Sequence, residues 1–165
     1  QRRQHGVLDE ILVSLGRDLW VLMAELATAP ENHAKLSDGS TKVTAPMVER
    51  LEGLIDHTSA LFDLPTEFVV PGESVVAAQL DVARTATRRA ERDSLGVEGV
   101  GTQVLAYLNR LSDLLWTLAR WVEGESLTAR SVPEGDAAFT EDPAANEPAP
   151  NEPASEGESG VPTDG

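Results

Sequence analysis

Residues 84–92 read RTATRRAER, four arginines and one glutamate in nine positions. At about 100° per residue, Arg84, Arg88, Glu91 and Arg92 fall on one side of a helix, and Asp81 joins them one turn earlier. Leu80, Ala83, Ala86 and Ala90 lean to the other side, where small residues would let a neighbouring helix come close. Arginines in register on a packed helix suit an anionic ligand. The planar guanidinium fork meets phosphate oxygens two at a time, which the point charge of lysine does not. A plainer possibility is a solvated charged face with i,i+4 pairs of roughly 0.2–0.5 kcal/mol each.

Other chemistries are bounded by what the chain contains. It has no cysteine, so disulfides, thiolate catalysis and cysteine-ligated zinc are excluded. His5, His33 and His57 have no metal-ligand spacing, and each is expected to be exposed or structural. The formal net charge is −15, but nine acidic residues and no basic ones lie from Ser131 onward. Positions 1–130 hold 13 basic and 19 acidic residues, which opposes broad binding to nucleic-acid backbones. No apolar run reaches the roughly 18 residues of a membrane span, and no secretory signal is readable, so the cytoplasm is the expected location.

Four helical segments must position the arginines. The first carries Leu8, Ile11, Leu12, Leu15, Leu19, Leu22 and Leu26 at spacings of three and four; Trp20, Val21 and Met23 broaden the stripe, predicting burial on more than one side. Pro30 ends it, and residues 31–44 read as a connector. The second starts near Thr44–Pro46 and turns Met47, Leu51, Leu54, Ile55 and Phe62 inward. A turn at 63–66 and a short extended stretch, FVVPG from Phe68, follow; Pro71 biases Val70 away from helix. The third runs from about Ser74 to Ser94. The fourth runs from about Thr102 to Glu123, with Val104, Leu108, Leu111, Leu115, Leu118 and Val122 as a near-heptad seam and Gly124 as its stop. The fold class expected is an all-α, up-down bundle occupying 1–130. Residues 131–165, with six of the ten prolines, read as a disordered acidic tail.

Three pieces together are similar to one family: FVVPGES (68–74), LDVARTATRRAER (80–92) and YLNRLSDLLWTLAR (107–120). They resemble the PduO-type ATP:cob(I)alamin adenosyltransferases, whose members carry F-x-x-P-G-G, then L-H-x-A-R-T-x-x-R-R-A-E-R, then Y-L-N-R-L-S-D-L-L-F. LGRDLWVLMAELATAP (15–30) is similar to the family's helix ending L-A-T-P, so the likeness spans about 8–122. The resemblance implies a five-helix bundle, usually trimeric, with active sites between subunits. It implies that Arg88, Glu91 and Asn109 contact ATP, that Arg84 pairs with an aspartate near the corrinoid, and that Phe68 packs on the lower face of the corrin ring. Arg84 and Phe68 are thereby the expected catalytic residues. Phe68 would displace the lower axial ligand and ease reduction of Co(II). Without the motif, Phe68 reads as a core staple closing the bundle end.

Arg89 and Arg92 match the motif, with Arg89 expected to pair with a neighbouring helix as much as with ligand. Asp113 is expected to partner one of the arginines. Two positions depart from the family pattern: Glu73 stands at the second loop glycine, and Asp81 at the histidine, where it is expected to pair locally with Arg84. The chain begins with Gln1, and the family's glycine-rich T-R-T-G-D-x-G-x-T stretch is expected upstream of it.

The function expected is transfer of the 5′-deoxyadenosyl group of ATP to Co(I) of cobalamin, with magnesium, in a homotrimer and with no resident metal site. A reductase or a B12-dependent acceptor enzyme is an expected partner; nucleic acid and membrane are not. Two alternatives stand: a degenerate relative that binds corrinoid or nucleotide without turnover, and a plain helical interaction module.

Overall fold

A computed structural model of the chain describes residues 2–124, 128, 130 and 131. The expected acidic tail, apart from Ser131, lies outside the described residues. Residues 1–132 form one compact unit. It is the all-α bundle expected, built from α1 (Arg2–Leu26), α2 (Ala45–Ser59), α3 (Val75–Ser94) and α4 (Thr102–Glu123). The connector after α1 is not featureless: Pro30–Lys35 forms a short 3-10 helix. The extended stretch near Phe68 makes one isolated bridge, Val69 to Thr128.

The helix limits follow from local chemistry. The Ser74 hydroxyl accepts the Ala77 N–H at 3.2 Å and opens α3. Pro46 sits in the first turn of α2, where its missing N–H costs nothing. Gly124 takes φ 78° and closes α4. Gly101 precedes α4 for a different reason. A Cβ there would lie 2.5 Å from Glu25 Oε1, so a larger residue would require the α1 carboxylate to shift.

The core is organised around α4. Val104, Tyr107, Leu108, Leu111, Leu114, Leu115, Leu118 and Ala119 are all buried, so this helix is enclosed on most sides. Leu8, Leu15, Val21 and Leu22 of α1, Met47 and Leu51 of α2, and Ala77 and Leu80 of α3 close over it. Each large apolar side chain so covered contributes roughly 1.5–3 kcal/mol. Val122, at the end of the predicted seam, is only half-buried.

Two expectations about the inner faces need correction. Trp20 and Met23 are 68% and 59% exposed, so α1 is not buried on several sides. Its inner stripe runs Leu8, Ile11, Leu15, Asp18, Leu22 and Glu25, with the two acids buried. Leu8, Ile11, Leu15, Leu22 and Leu26 of the expected stripe do face the core, and the two acids complete that face where Trp20 and Met23 were expected to widen it. Phe62 also lies beyond α2, which ends at Ser59.

Asp18 has no exposed surface and accepts three donors. Tyr107 Oη donates to Oδ2 at 2.9 Å, Arg50 Nη2 also donates to Oδ2, and Arg17 Nη1 reaches Oδ1 at 3.4 Å. The carboxylate so joins α1, α2 and α4. Glu25 does similar service where the connector meets α1, accepting the Val43 N–H at 2.6 Å.

Burial pushes the Tyr107 hydroxyl up from 10.0 to about 12, a rise that the Arg50 charge partly offsets. The folded form therefore keeps its proton where the unfolded chain has lost it. Stability from this group is full below pH 10 and falls as pH rises from 10 to about 12. Over that window we expect the wild type to lose about 2–3 kcal/mol that Tyr107→Phe does not lose. Urea unfolding of both proteins between pH 9 and 12 checks this; parallel slopes would contradict it.

Candidate functional site

The seam between α3 and α4 holds most of the residues singled out by the sequence. α3 meets α4 with Ala77, Leu80, Asp81, Thr87, Glu91 and Ser94, each buried or half-buried, whereas Ala86 and Ala90 are exposed. The small-residue face expected to receive a neighbouring helix is thus only partly used. The packed face is rotated toward the charged side, because two of its charged residues bond across the seam.

The first tie is Asp81 to Arg120. Arg120 Nη2 donates to Asp81 Oδ2 at 2.7 Å and to Glu123 Oε1 at 2.9 Å, and Arg120 is only 2% exposed. Arg120 Nε lies 2.8 Å from Glu123 Oε2 yet has no well-aligned acceptor. The second tie is Asn109 Nδ2 donating to Glu91 Oε1 at 3.0 Å. Arg110 extends it, donating to Asn109 Oδ1 at 2.8 Å and pairing with Asp113 Oδ2 at 3.3 Å. These ties correct one expectation and meet another. Asp81 does not pair with Arg84, since the buried Arg120 fork competes for it from α4. Asp113 partners an arginine, but one on its own helix.

Between the two ties along α3 stands Arg84, half-buried, with Arg88 exposed one turn later. Among the described residues, Arg84, Arg88, Arg89 and Arg92 have no ion pair or hydrogen bond from their side chains. The neighbouring-helix partner considered for Arg89 is therefore not found there. Like charges four apart on a helix repel by roughly 0.2–0.5 kcal/mol per pair. Arg84, Arg88 and Arg92 carry that cost twice over, with no carboxylate of the bundle relieving it.

Arg84 opens on a cavity of about 390 Å³, lined also by Arg110, Asp113, Ile55, Leu64 and Trp116. Leu64 lines a second cavity of about 590 Å³, whose Thr66 lines a third of about 310 Å³ that contains Phe68 and Arg130. The second cavity shares Leu64 with the first and Thr66 with the third; Arg84 and Arg110 line the first and Arg130 the third. Phe68 is 90% exposed, so it is not the core staple considered above. Its backbone is held by the Val69–Thr128 bridge and by the turn at Gly72, where φ is 108°. Glu73 points its side chain into solvent beside that turn.

The structure thus gathers Arg84, Glu91 and Asn109 at one seam and sets Phe68 on a separate cavity of about 310 Å³. Arg88 lies on open surface one turn from Arg84. Arg110 and Trp116 were not singled out by sequence. Their signal was present: Asn109, Asp113 and Trp116 follow at i, i+4 and i+7 on one face of α4, and Arg110 adjoins that face. Among the described residues no group of three or more His, Asp or Glu side chains could hold a metal ion. No helix among them is long and apolar enough to cross a membrane.

Residues 1–122 match the cobalamin adenosyltransferase family. A corrinoid adenosyltransferase of Citrobacter freundii is 37% identical over 138 residues, covering 70% of this chain and 77% of that one. One from Mycobacterium tuberculosis strain H37Rv is 36% identical over 118 residues; the match takes in 68% of this chain but only 60% of the relative's length. Among solved structures, a variant of the PduO-type ATP:corrinoid adenosyltransferase from Lactobacillus reuteri, complexed with cobalamin and ATP, superposes with a TM-score of 0.65. It shares 30% identity over 75% of this chain and 71% of that one.

The unpaired state of the α3 arginines has a measurable consequence. Arg84→Ala and Arg88→Ala should each change unfolding free energy by less than about 1 kcal/mol, since no pair is lost. Arg120→Ala strands two carboxylates at the seam and should cost about 3–5 kcal/mol. Urea denaturation ranks the three, and a loss for Arg84→Ala as large as for Arg120→Ala would mean that Arg84 holds the bundle together.

Proposed function

This chain belongs to the cobalamin adenosyltransferase family, and we propose that it transfers the 5′-deoxyadenosyl group of ATP to the cobalt of a reduced corrinoid. The observation that carries this is the row of unpaired guanidinium groups on α3, with Arg84 on one cavity, and an exposed phenylalanine on another reached through the 61–68 segment. An anionic chain and a broad apolar face are what that pair of features can receive together.

The chemistry asks little of the protein in the way of nucleophiles. The Co(I) electron pair attacks C5′ of ATP, the C5′–O bond breaks, and triphosphate leaves with the bonding electrons. Cobalt ends as an alkylated Co(III). The charge that develops on the departing oxygen is what arginines stabilise. Arg88 takes the polyphosphate, and Glu91 and Asn109, already joined at 3.0 Å, hold the nucleoside side of ATP. Arg84 stands at the corrinoid edge. Magnesium enters with the phosphates, whose oxygens supply its ligands. Phe68 occupies the lower face of the corrin and keeps the axial ligand away, which makes Co(II) easier to reduce. A reductase supplies the electron.

Two further points belong to the same proposal. The chain assembles as a homotrimer with sites between subunits, and the exposed apolar run of Val13, Trp20 and Met23 on α1 supports a contact of that kind. Its location is the cytoplasm, where ATP and reductant are at hand.

Chemically reduced cobalamin mixed with MgATP and the protein should give the spectrum of adenosylcobalamin and an equal amount of triphosphate. Binding of both ligands without either product would sink the proposal in favour of a non-catalytic carrier. In the active protein, Arg88→Ala should weaken MgATP binding by about 10–100-fold in calorimetry. Phe68→Ala should slow the Co(II)-to-Co(I) step far more than it slows turnover of cobalamin that is already Co(I); equal slowing of both would remove the ring from the reduction step.

A further inference from the structure

We infer that Asp81 and Arg120 are positioning residues that fix the Trp116 ring as one wall of the Arg84 cavity, and so set how tightly a corrinoid is held there. The inference rests on the reading above that this cavity meets the corrinoid. Arg120 Cζ lies 6.0 Å from the centroid of the Trp116 ring, one helical turn away on the same face of α4. No hydrogen bond fixes the indole among the described residues, so the guanidinium is its one polar anchor. Trp116 lines the cavity with Arg84.

The carboxylate count at Arg120 indicates what Asp81 is for. Glu123, three residues on in the same helix, already neutralises the buried guanidinium. A second carboxylate is not needed to balance charge. Asp81 differs in coming from α3, three residues before Arg84, and in drawing Nη2 across the seam at 2.7 Å. It therefore fixes the direction of the fork. Without it, the fork is held only from its own helix, and the indole above it gains freedom. The same bond holds α3 against α4 one turn from Arg84. One aspartate so relates the cation of the cavity to its aromatic wall. The family pattern carries histidine at this position, which would not serve as an anionic acceptor for Arg120.

The test uses full-length protein and steady-state turnover of reduced cobalamin with MgATP. Asp81→Asn should raise KM for the corrinoid about 5–10-fold while kcat and KM for ATP change less than twofold. Trp116→Phe should do the same. The double variant should be no worse than Trp116→Phe alone, because the aspartate acts through the ring. Multiplying effects, or an Asp81→Asn defect confined to kcat or ATP, would overturn the inference. Asp81→Asn should fold, since Glu123 still compensates Arg120; should it not, Arg120→Lys keeps the charge, loses the fork and is expected to raise the same KM. Near-ultraviolet circular dichroism of Trp116, in a Trp20→Phe, Trp121→Phe background, should lose intensity on Asp81→Asn. That signal needs no ligand. If the wild type takes no corrinoid, the proposed function fails while the dichroism still decides whether Asp81 holds the ring, and an unchanged spectrum would refute the link.

Discussion

A carboxylate removed from water must be met by a cation or by several donors, and in this bundle that requirement decides which arginines remain free. α4 is enclosed on most sides, so Asp18, Asp81 and Glu123 are covered, while Asp113 keeps about half its side chain in solvent. Asp18 takes Arg50 and the Tyr107 hydroxyl; Asp81 and Glu123 take Arg120; Asp113 takes Arg110. Glu91 takes an amide, Asn109, and so leaves the arginines of its own helix alone. Each of these cations lies outside the RTATRRAER run. The bundle is thus held by one set of guanidinium groups and leaves a second set unpaired.

That division separates the residues that hold the bundle from those that leave their charge unpaired. A buried pair such as Asp81–Arg120 is weak evidence of net stabilisation, because desolvation offsets much of its attraction. Its geometric effect is firmer: it fixes the register of α3 on α4 beside Arg84. The unpaired arginines have the opposite character. They repel one another along the helix and gain only when an anion arrives. An interaction module using its charges for inter-helix pairs would show the reverse arrangement, with α3 arginines joined to carboxylates and no cavity beside them.

Much of this was legible in the residues, and the failures share one cause. The ends of α3 and α4 followed from Ser74 and Gly124, and the α4 seam from its apolar spacing, because these signals are local. The arginine row was readable from helical position, whereas Phe68 read as core from position and as a site residue only from the motif. What escaped was any polar residue whose partner lies far along the chain. Asp18 and Glu25 sit on the inner stripe of α1 beside the expected leucines, so counting apolar residues found the face but missed its two acids and put Trp20 and Met23 inside. Asp81 was matched to its nearest arginine, Arg84, when the bond runs 39 residues on to Arg120. Arg110 and Trp116 gain meaning only once α2, α3 and the 61–68 segment close around them.

Phe68 and the α3 arginines have a common energetic sense. A phenyl ring 90% exposed forgoes most of the roughly 1.5–3 kcal/mol that burial would contribute. Unpaired like charges along α3 add a smaller cost. Neither is relieved among the described residues; the Phe68 segment is tied at one point by the Val69–Thr128 bridge, and the helix of the arginines is held at the α3–α4 seam. A stiff scaffold with unsatisfied groups is pre-organised: little ordering is required when a ligand covers them. A ligand with a polyanionic end and a broad apolar face would relieve both at once, and it would stabilise the folded state by mass action in proportion to how tightly it binds. The features that make this domain less stable alone are, on this argument, the ones that make it selective for a ligand of that double character.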